Sequence, residues 1–286
     1  MAKVRPTPFP ERNGKVPFNA SGVARVGSRR FVFVDNKDPT ALFEMTFDPG
    51  VGTVERIHRR PLSGVGKGML RDPEGLARVD VNGEIVLVVA SSLCVAEGNG
   101  ICDGLVRVRY AHGGELPAEP MAGFRDWLLA RVPALAEAGR KEPDAGGLNV
   151  EGLAWDRDAL LFGLRGPAHP GRVTLVRVPV DVGGARWTTA SLGQPELIHV
   201  RLPEPAVTRG IRDVAGTGEF LLLLGRSTSH GDTPFRLATW NRAGDHAALL
   251  DVTFHRTAKP EGITPFSIDG EQRIMIVDDT GGYAVL

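Results

Sequence analysis

The chain has 286 residues in which 34 Lys and Arg balance 34 Asp and Glu, giving no net charge. That balance excludes the basic footprint of a nucleic-acid binder and the polybasic patch of a membrane-surface protein. Gly 36 and Pro 21 make up about a fifth of the chain, against roughly 12 % in average usage, while hydrophobic residues stay at 42 %. The excess therefore marks turns in a folded, strand-rich protein.

Residues 1–14 carry no apolar segment, so no secretory leader is expected. No run approaches the ~18 apolar residues needed to span a bilayer, and a cytoplasmic location is the expectation. Cys94 and Cys102 are too few for a disulfide framework and read as free thiols of a cytosolic protein. Their place in one Gly-containing loop leaves a local bridge open, whereas a metal would need more ligands than the loop offers.

Along the chain, five segments share a polar residue, Gly, an apolar residue and a small or polar one: Ser21-Gly22-Val23-Ala24, Glu74-Gly75-Leu76-Ala77, Glu151-Gly152-Leu153-Ala154, Arg209-Gly210-Ile211-Arg212 and Glu261-Gly262-Ile263-Thr264. Each is followed by an apolar run: Phe31 to Val34, Ile85 to Val89, Leu160 to Leu164, Phe220 to Leu224 and Ile274 to Val277. Third and fourth strand-like runs follow in most units. Four short strands per ~50 residues, restarting with one pattern, predict an all-β chain folded as a single β-propeller over 1–286. Five copies predict five blades; a divergent blade in the longest interval would make six. The last unit runs out at Leu286, so an N-terminal segment is expected to supply its missing strand and close the ring. The longest interval contains residues 116–140, where Phe124, Trp127, Leu128, Val132 and Leu135 recur near helical period. This predicts a helical insertion, divided at Pro133, that packs on the propeller or acts as a lid.

In an antiparallel blade the first strand lines the axis, and its start lies at the same end as the end of the second. Ser21, Glu74, Glu151, Arg209 and Glu261 are therefore expected around one mouth. Asp35, Arg165, Arg226 and Asp278 would lie around them. Three carboxylates near one axis repel. A hard divalent cation, Ca²⁺ first, would compensate them if Glu74, Glu151 and Glu261 were its ligands. Alternatively, Arg209 would serve as an internal counter-ion. Arg165 and Arg226 would suit an anionic group of a substrate, with Arg209, Asp35 and Asp278 also on the substrate side, or would pair with ring acids. His169 and His230, each four residues beyond one of these arginines, have the chemistry of general acids and bases, or are simply exposed. No G-x-S-x-G elbow, H-E-x-x-H or P-loop lysine motif occurs.

The stretch Asn149-Val150-Glu151-Gly152-Leu153-Ala154-Trp155, followed by Leu160 to Pro167, resembles a bacterial β-propeller family described as a domain of unknown function. Ala20 to Ala24 and Val34-Asp35-Asn36 fit the same family. More distantly the chain is similar to phytase-like esterases, with their repeated Glu-Gly-Ile/Leu starts, and to gluconolactonase-type propellers, which use a central metal. Ser21 and Arg209 depart from glutamate in two blades. Fold likeness alone does not establish function.

The leading expectation is a hydrolase acting on an ester, lactone or phosphoester at the axial mouth. Glu74, Glu151 and Glu261 would hold the cation, Arg165 and Arg226 would orient an anionic small molecule, and His169, His230 or Glu151 would move protons. The alternatives are a propeller that binds a small anionic ligand or peptide without turnover, and a metal-independent biosynthetic enzyme using the same acids and bases. No nucleic-acid or membrane partner is expected, and the oligomeric state is not legible.

Overall fold

A computed structural model describes residues 2–10 and 18–286, and in it strands follow one another in antiparallel sets of four. Blade 1 comprises Ala20–Arg25, Arg30–Asp35, Ala41–Asp48 and Thr53–Ser63; blade 2 comprises Pro73–Val81, Glu84–Ser91, Leu105–Arg109 and Leu116–Met121. Blade 3 uses Asn149–Asp156, Ala159–His169, Arg172–Pro179 and Glu196–Arg201, and blade 4 Gly210–Thr217, Glu219–Gly225, Arg236–Asn241 and Ala247–Leu249. Blade 5 is built from Pro260–Ile268, Glu271–Asp278 and Gly282–Val285, with Thr7–Pro8 added as its outermost strand. Each first strand packs on the first strand of the next blade, and that of blade 5 packs on that of blade 1. The chain is a β-propeller.

The second strands are apolar on both faces because both are buried. Phe31, Val32 and Phe33 are fully enclosed, as are Leu87 to Ala90 and Leu160 to Phe162. Their side chains fill the spaces between neighbouring sheets, so the core is divided among the blade boundaries. The boundary between blades 5 and 1 is aromatic. Phe9 from the N-terminal segment stacks on Phe33 at 5.3 Å and on Tyr283 at 5.5 Å. Thr7 pairs with Tyr283, and Phe9 N–H donates to Gly281 O at 2.9 Å, so the N-terminal segment supplies the expected fourth strand. A second segment, Ala2–Val4, pairs in parallel with Val252–Phe254.

The insertion differs from its expected span of 116–140. Leu116–Met121 is the outer strand of blade 2; Pro117 and Pro120 bar it from a helix interior but are tolerated on a blade rim. Helix α1 occupies Phe124–Arg131, and short turns follow at Pro133–Leu135, Ala138–Arg140 and Pro143–Ala145. Phe124 and Leu128 are fully buried, with Phe124 stacked on Phe162 at 5.2 Å. The helix is thus part of the core between blades 2 and 3. The last of the short turns, Pro143–Ala145, reaches blade 4, where Ser229 N–H donates to Asp144 Oδ1 at 2.7 Å.

Candidate active site

Each first strand carries a β-bulge near its start. The register shifts between Ser21 and Val23, Pro73 and Gly75, Val150 and Gly152, Ile211 and Asp213, and Pro260 and Gly262. A bulge adds a residue that no partner opposes and re-aims its side chain. The residue at the bulge is Glu74, Glu151, Arg212 and Glu261 in blades 2 to 5. These three glutamates were expected from the repeat; Arg212 was not.

Blade 4 therefore corrects the alignment. Its true copy of the pattern is Arg212-Asp213-Val214-Ala215, three residues beyond the expected Arg209 start. Arg209 is buried elsewhere: its Nε and Nη2 both lie 2.8 Å from Glu204 Oε2, and it also donates to the Pro234 carbonyl. It is neither the ring counter-ion nor placed for a substrate. Where the other blades have glycine, blade 4 has Asp213. The glycines admit the adjacent strand, since a Cβ on Gly152 would lie 2.8 Å from Val214 N. Asp213 instead ties strands together, accepting Ile263 N–H at 2.7 Å and Val214 N–H at 2.8 Å. Burial lifts its carboxyl well above the usual range despite these amides.

Arg212 is the counter-ion of the ring. Its Nε lies 2.9 Å from Glu151 Oε2 and 2.9 Å from Glu261 Oε2, and its Nη2 also donates to Glu261 Oε1. Glu151 Oε1 accepts Arg165 Nη1 at 2.9 Å and Asn149 Nδ2 at 3.1 Å. Among the described residues Glu74 has neutral donors only: Ser21 Oγ at 2.6 Å and Asn36 Nδ2 at 2.9 Å. Burial, reinforced by Glu151, Asp72 and Glu261, drives the Glu74 carboxyl well above the usual carboxylate range. Burial likewise pushes Glu261 up to about 8, against the attraction of Arg212. Arg212 is itself disfavoured as a cation by burial, but Glu151 and Glu261 outweigh this and raise its pKa.

The carboxylates are thus paired with guanidinium or hydrogen-bonded separately rather than gathered around a common point. Among the described residues, the grouping of three whose ligand atoms all lie within 4.8 Å of one another is Asp72, Cys94 and Cys102, not the glutamates. A calcium cage needs six to eight converging oxygens, and Glu74, Glu151 and Glu261 do not fit one.

Asp35 and Asp278 face the backbone. Asp35 Oδ1 accepts the amides of Asn19 and Lys37, both at 3.0 Å. Asp278 accepts those of Lys259 at 2.6 Å and Thr280 at 3.0 Å. Their lone pairs fix the turns that lead into the first strands. His169 sits opposite Arg172 at an exposed hairpin tip, and His230 is exposed in the loop after blade 4's second strand. Neither hydrogen-bonds a ring carboxylate among the described residues. Arg226 is half-buried and makes no hydrogen bond or ion pair among the described residues, while Arg165 is committed to Glu151.

Polar atoms without partners concentrate here. Asn36 Oδ1, Asn149 Oδ1, Arg165 Nε and Arg212 Nη1 are all buried and unpaired. Native interiors leave few such groups, and each calls for an explanation such as a bound polar molecule. At the opposite end of the first strands, a cavity of about 260 Å³ is lined by Leu76, Leu153 and Val214 together with Arg25, Arg78 and Asp80; none of the unpaired buried atoms named above belongs to its lining.

Residues 139–284 match the model of the family described as "Protein of unknown function (DUF3616)". No curated protein sequence matches the chain. Among solved structures, the glutaminyl cyclase of Myxococcus xanthus is similar with a TM-score of 0.50 and 11 % identity, over 99 % of this chain and 94 % of that one. The Malassezia sympodialis allergen Mala s 1 gives 0.53 and 11 %, over 94 % and 93 %. The GH43 β-1,3-galactosidase BT3683 with galactodeoxynojirimycin gives 0.54 and 10 %, over 100 % and 94 %. At such identities the likeness is one of fold.

Proposed function

The chain belongs to the DUF3616 family, and we propose that it is a hydrolase acting on a hydroxylated ester or lactone at the carboxylate–guanidinium ring. The observation that carries this reading is the set of buried, unpaired donors and acceptors on residues that contact Glu151 and Glu74: Arg165 Nε, Arg212 Nη1 and Asn149 Oδ1 beside Glu151, and Asn36 Oδ1 beside Glu74. Two free N–H donors on fixed guanidiniums suit a carbonyl oxygen that gains charge during attack. Two free amide oxygens suit the hydroxyls of the same molecule.

Glu151 is the general base. It takes a proton from water as the water oxygen bonds to the acyl carbon, and the carbonyl oxygen becomes an oxyanion held by Arg165 and Arg212. Collapse of that intermediate breaks the acyl–oxygen bond, and Glu151 returns its proton to the leaving alkoxide. The products are an acid and an alcohol, or one hydroxy acid from a lactone. Arg226, half-exposed and unpartnered, receives an anionic part of the substrate if there is one. Neighbours that include a galactosidase support a hydroxylated substrate only by analogy of fold.

The test is turnover of a panel of aryl esters and sugar-acid lactones by wild type, Glu151→Gln and Arg165→Met. Loss of about 100-fold or more in kcat/KM for Glu151→Gln, with folding intact, is expected. Binding of these compounds by calorimetry with no turnover would replace the hydrolase by a ligand-binding propeller. Undiminished turnover in Glu151→Gln would remove Glu151 from the chemistry.

A further inference from the structure

Beside the ring, on the side of blade 2, a short hairpin brings two thiols together. Val95–Ala96 pairs antiparallel with Gly100–Ile101, and Ile101 lies opposite Val95. The next pair is Cys94 with Cys102, whose N–H donates to Cys94 O at 3.0 Å. Both sulfurs are free and both residues are buried. From a different part of the chain, just ahead of blade 2's first strand, Asp72 brings Oδ2 to 4.0 Å from Cys94 Sγ. One ligand atom of each residue lies within 4.8 Å of the other two.

We propose that Asp72, Cys94 and Cys102 form a binding site for a thiophilic divalent cation, zinc first. Two sulfurs favour zinc over calcium or magnesium, which take oxygen ligands. Three protein ligands complete three corners of a tetrahedron and leave the fourth to water, the arrangement of open rather than closed zinc sites. On binding, each thiol releases its proton to solvent and each sulfur gives an electron pair to the metal; no oxidant or reductant is needed.

The surroundings hold these ligands in place. Ser92 Oγ donates to Cys94 Sγ at 3.2 Å, and Ser92 N–H donates to the Asp72 carbonyl at 2.9 Å. The helix of the insertion pins both arms of the hairpin: Arg125 Nε donates to Leu93 O at 2.8 Å, and Arg125 N–H donates to Asp103 Oδ1 at 3.0 Å. Asp72 and the buried Leu93 are held at φ of 53° and 56°, a left-handed conformation unusual for a side chain such as leucine. Val150 N–H donates to Ser92 O at 2.7 Å, which joins the hairpin to the strand carrying Glu151. A cation here would neighbour the ring without using its glutamates.

The site is tested independently of any activity by adding Co²⁺ to the metal-free, phosphine-reduced full chain. One equivalent should bind, with a thiolate-to-cobalt charge-transfer band and visible bands of tetrahedral intensity, and zinc should displace it. Cys102→Ser should abolish the charge-transfer pattern of two sulfurs. Asp72→Asn should keep a sulfur band but weaken affinity by about tenfold or more. Glu151→Gln should leave the titration unchanged. Failure of the reduced wild type to develop the band would overturn the proposal, and that test does not depend on whether the variants fold. So would identical titrations in wild type and Cys102→Ser. A Cys94–Cys102 disulfide in the purified chain, followed by no metal uptake after reduction, would overturn it in favour of a redox pair.

Discussion

Arg212 joins two carboxylates that belong to different blades, with its Nε 2.9 Å from both Glu151 Oε2 and Glu261 Oε2. The guanidinium is therefore a link across the boundaries on either side of blade 4 as well as a counter-charge. It is matched in the adjacent residue by Asp213, whose carboxylate accepts an amide from blade 5.

Removing that link should be costly. Arg212→Met leaves Glu261 without a cationic partner and Glu151 with Arg165 alone, and loss of one partner of a buried ion pair costs about 3–5 kcal/mol. Urea denaturation above pH 8, where Glu261 is ionised, reads this directly. The double variant Arg212→Met/Glu261→Met should lose less than the sum of the two single changes, because their interaction is counted once. Strict additivity would show that the two side chains do not interact.

The same cluster makes stability fall with pH. Glu261 is pushed by burial from the usual 4.5 to about 8, so the folded chain keeps a proton that the unfolded chain has released. Where the folded state binds more protons, stability declines as pH rises. The decline should run between about pH 4.5 and 8 and then level off, with Glu74 displaced in the same direction. In thermal melts across that range, Glu261→Gln should gain on wild type as pH increases. A pH-independent difference between the two would contradict the shift.

Phe9 should act as the lock on the ring closure. It is 2 % exposed and touches Phe18, Phe33 and Tyr283, and truncating a buried phenylalanine costs about 3–5 kcal/mol. Phe9→Ala should lower the melting temperature and raise amide exchange at Gly282–Val285, the strand against which Thr7–Pro8 pairs. Exchange that rose equally in blade 3 would point to global destabilisation instead.

The repeated motif makes the propeller and the three ring glutamates legible, because strand starts recur with a Gly that lets neighbouring strands approach. It failed in blade 4 for a physical reason: Asp213 does by hydrogen bonding what glycine does by lacking a side chain. A pattern built on Gly therefore selects Arg209-Gly210, three residues early. The small residue two places beyond the glycine position would have found the true copy, since Ala215 corresponds to Ala24, Ala77 and Ala154. Asp35 and Asp278 pair with Ala20 and Pro260 at the starts of the first strands, and their polar atoms are spent on backbone amides. The thiol cluster is hidden in the sequence because Asp72 lies more than twenty residues before Cys94, and the folded chain brings them together through the Ser92–Asp72 backbone bond and the Cys94–Asp72 contact.

One feature at the rim bears on how the ring comes apart. The outer strands of blades 1 and 2 pair in parallel, Leu116 with Leu62 and Pro117 with Ser63, so these two blades form one continuous sheet of eight strands. Arg60 reinforces the junction by donating to the carbonyls of Ala111, Gly113 and Gly114. Separating this pair means breaking backbone ladder at the periphery as well as apolar packing inside. Mechanically the circle then behaves as a rigid double segment and three single ones, and strain applied to the termini, which meet near blades 4 and 5, should be released by peeling at that side while the double segment still holds.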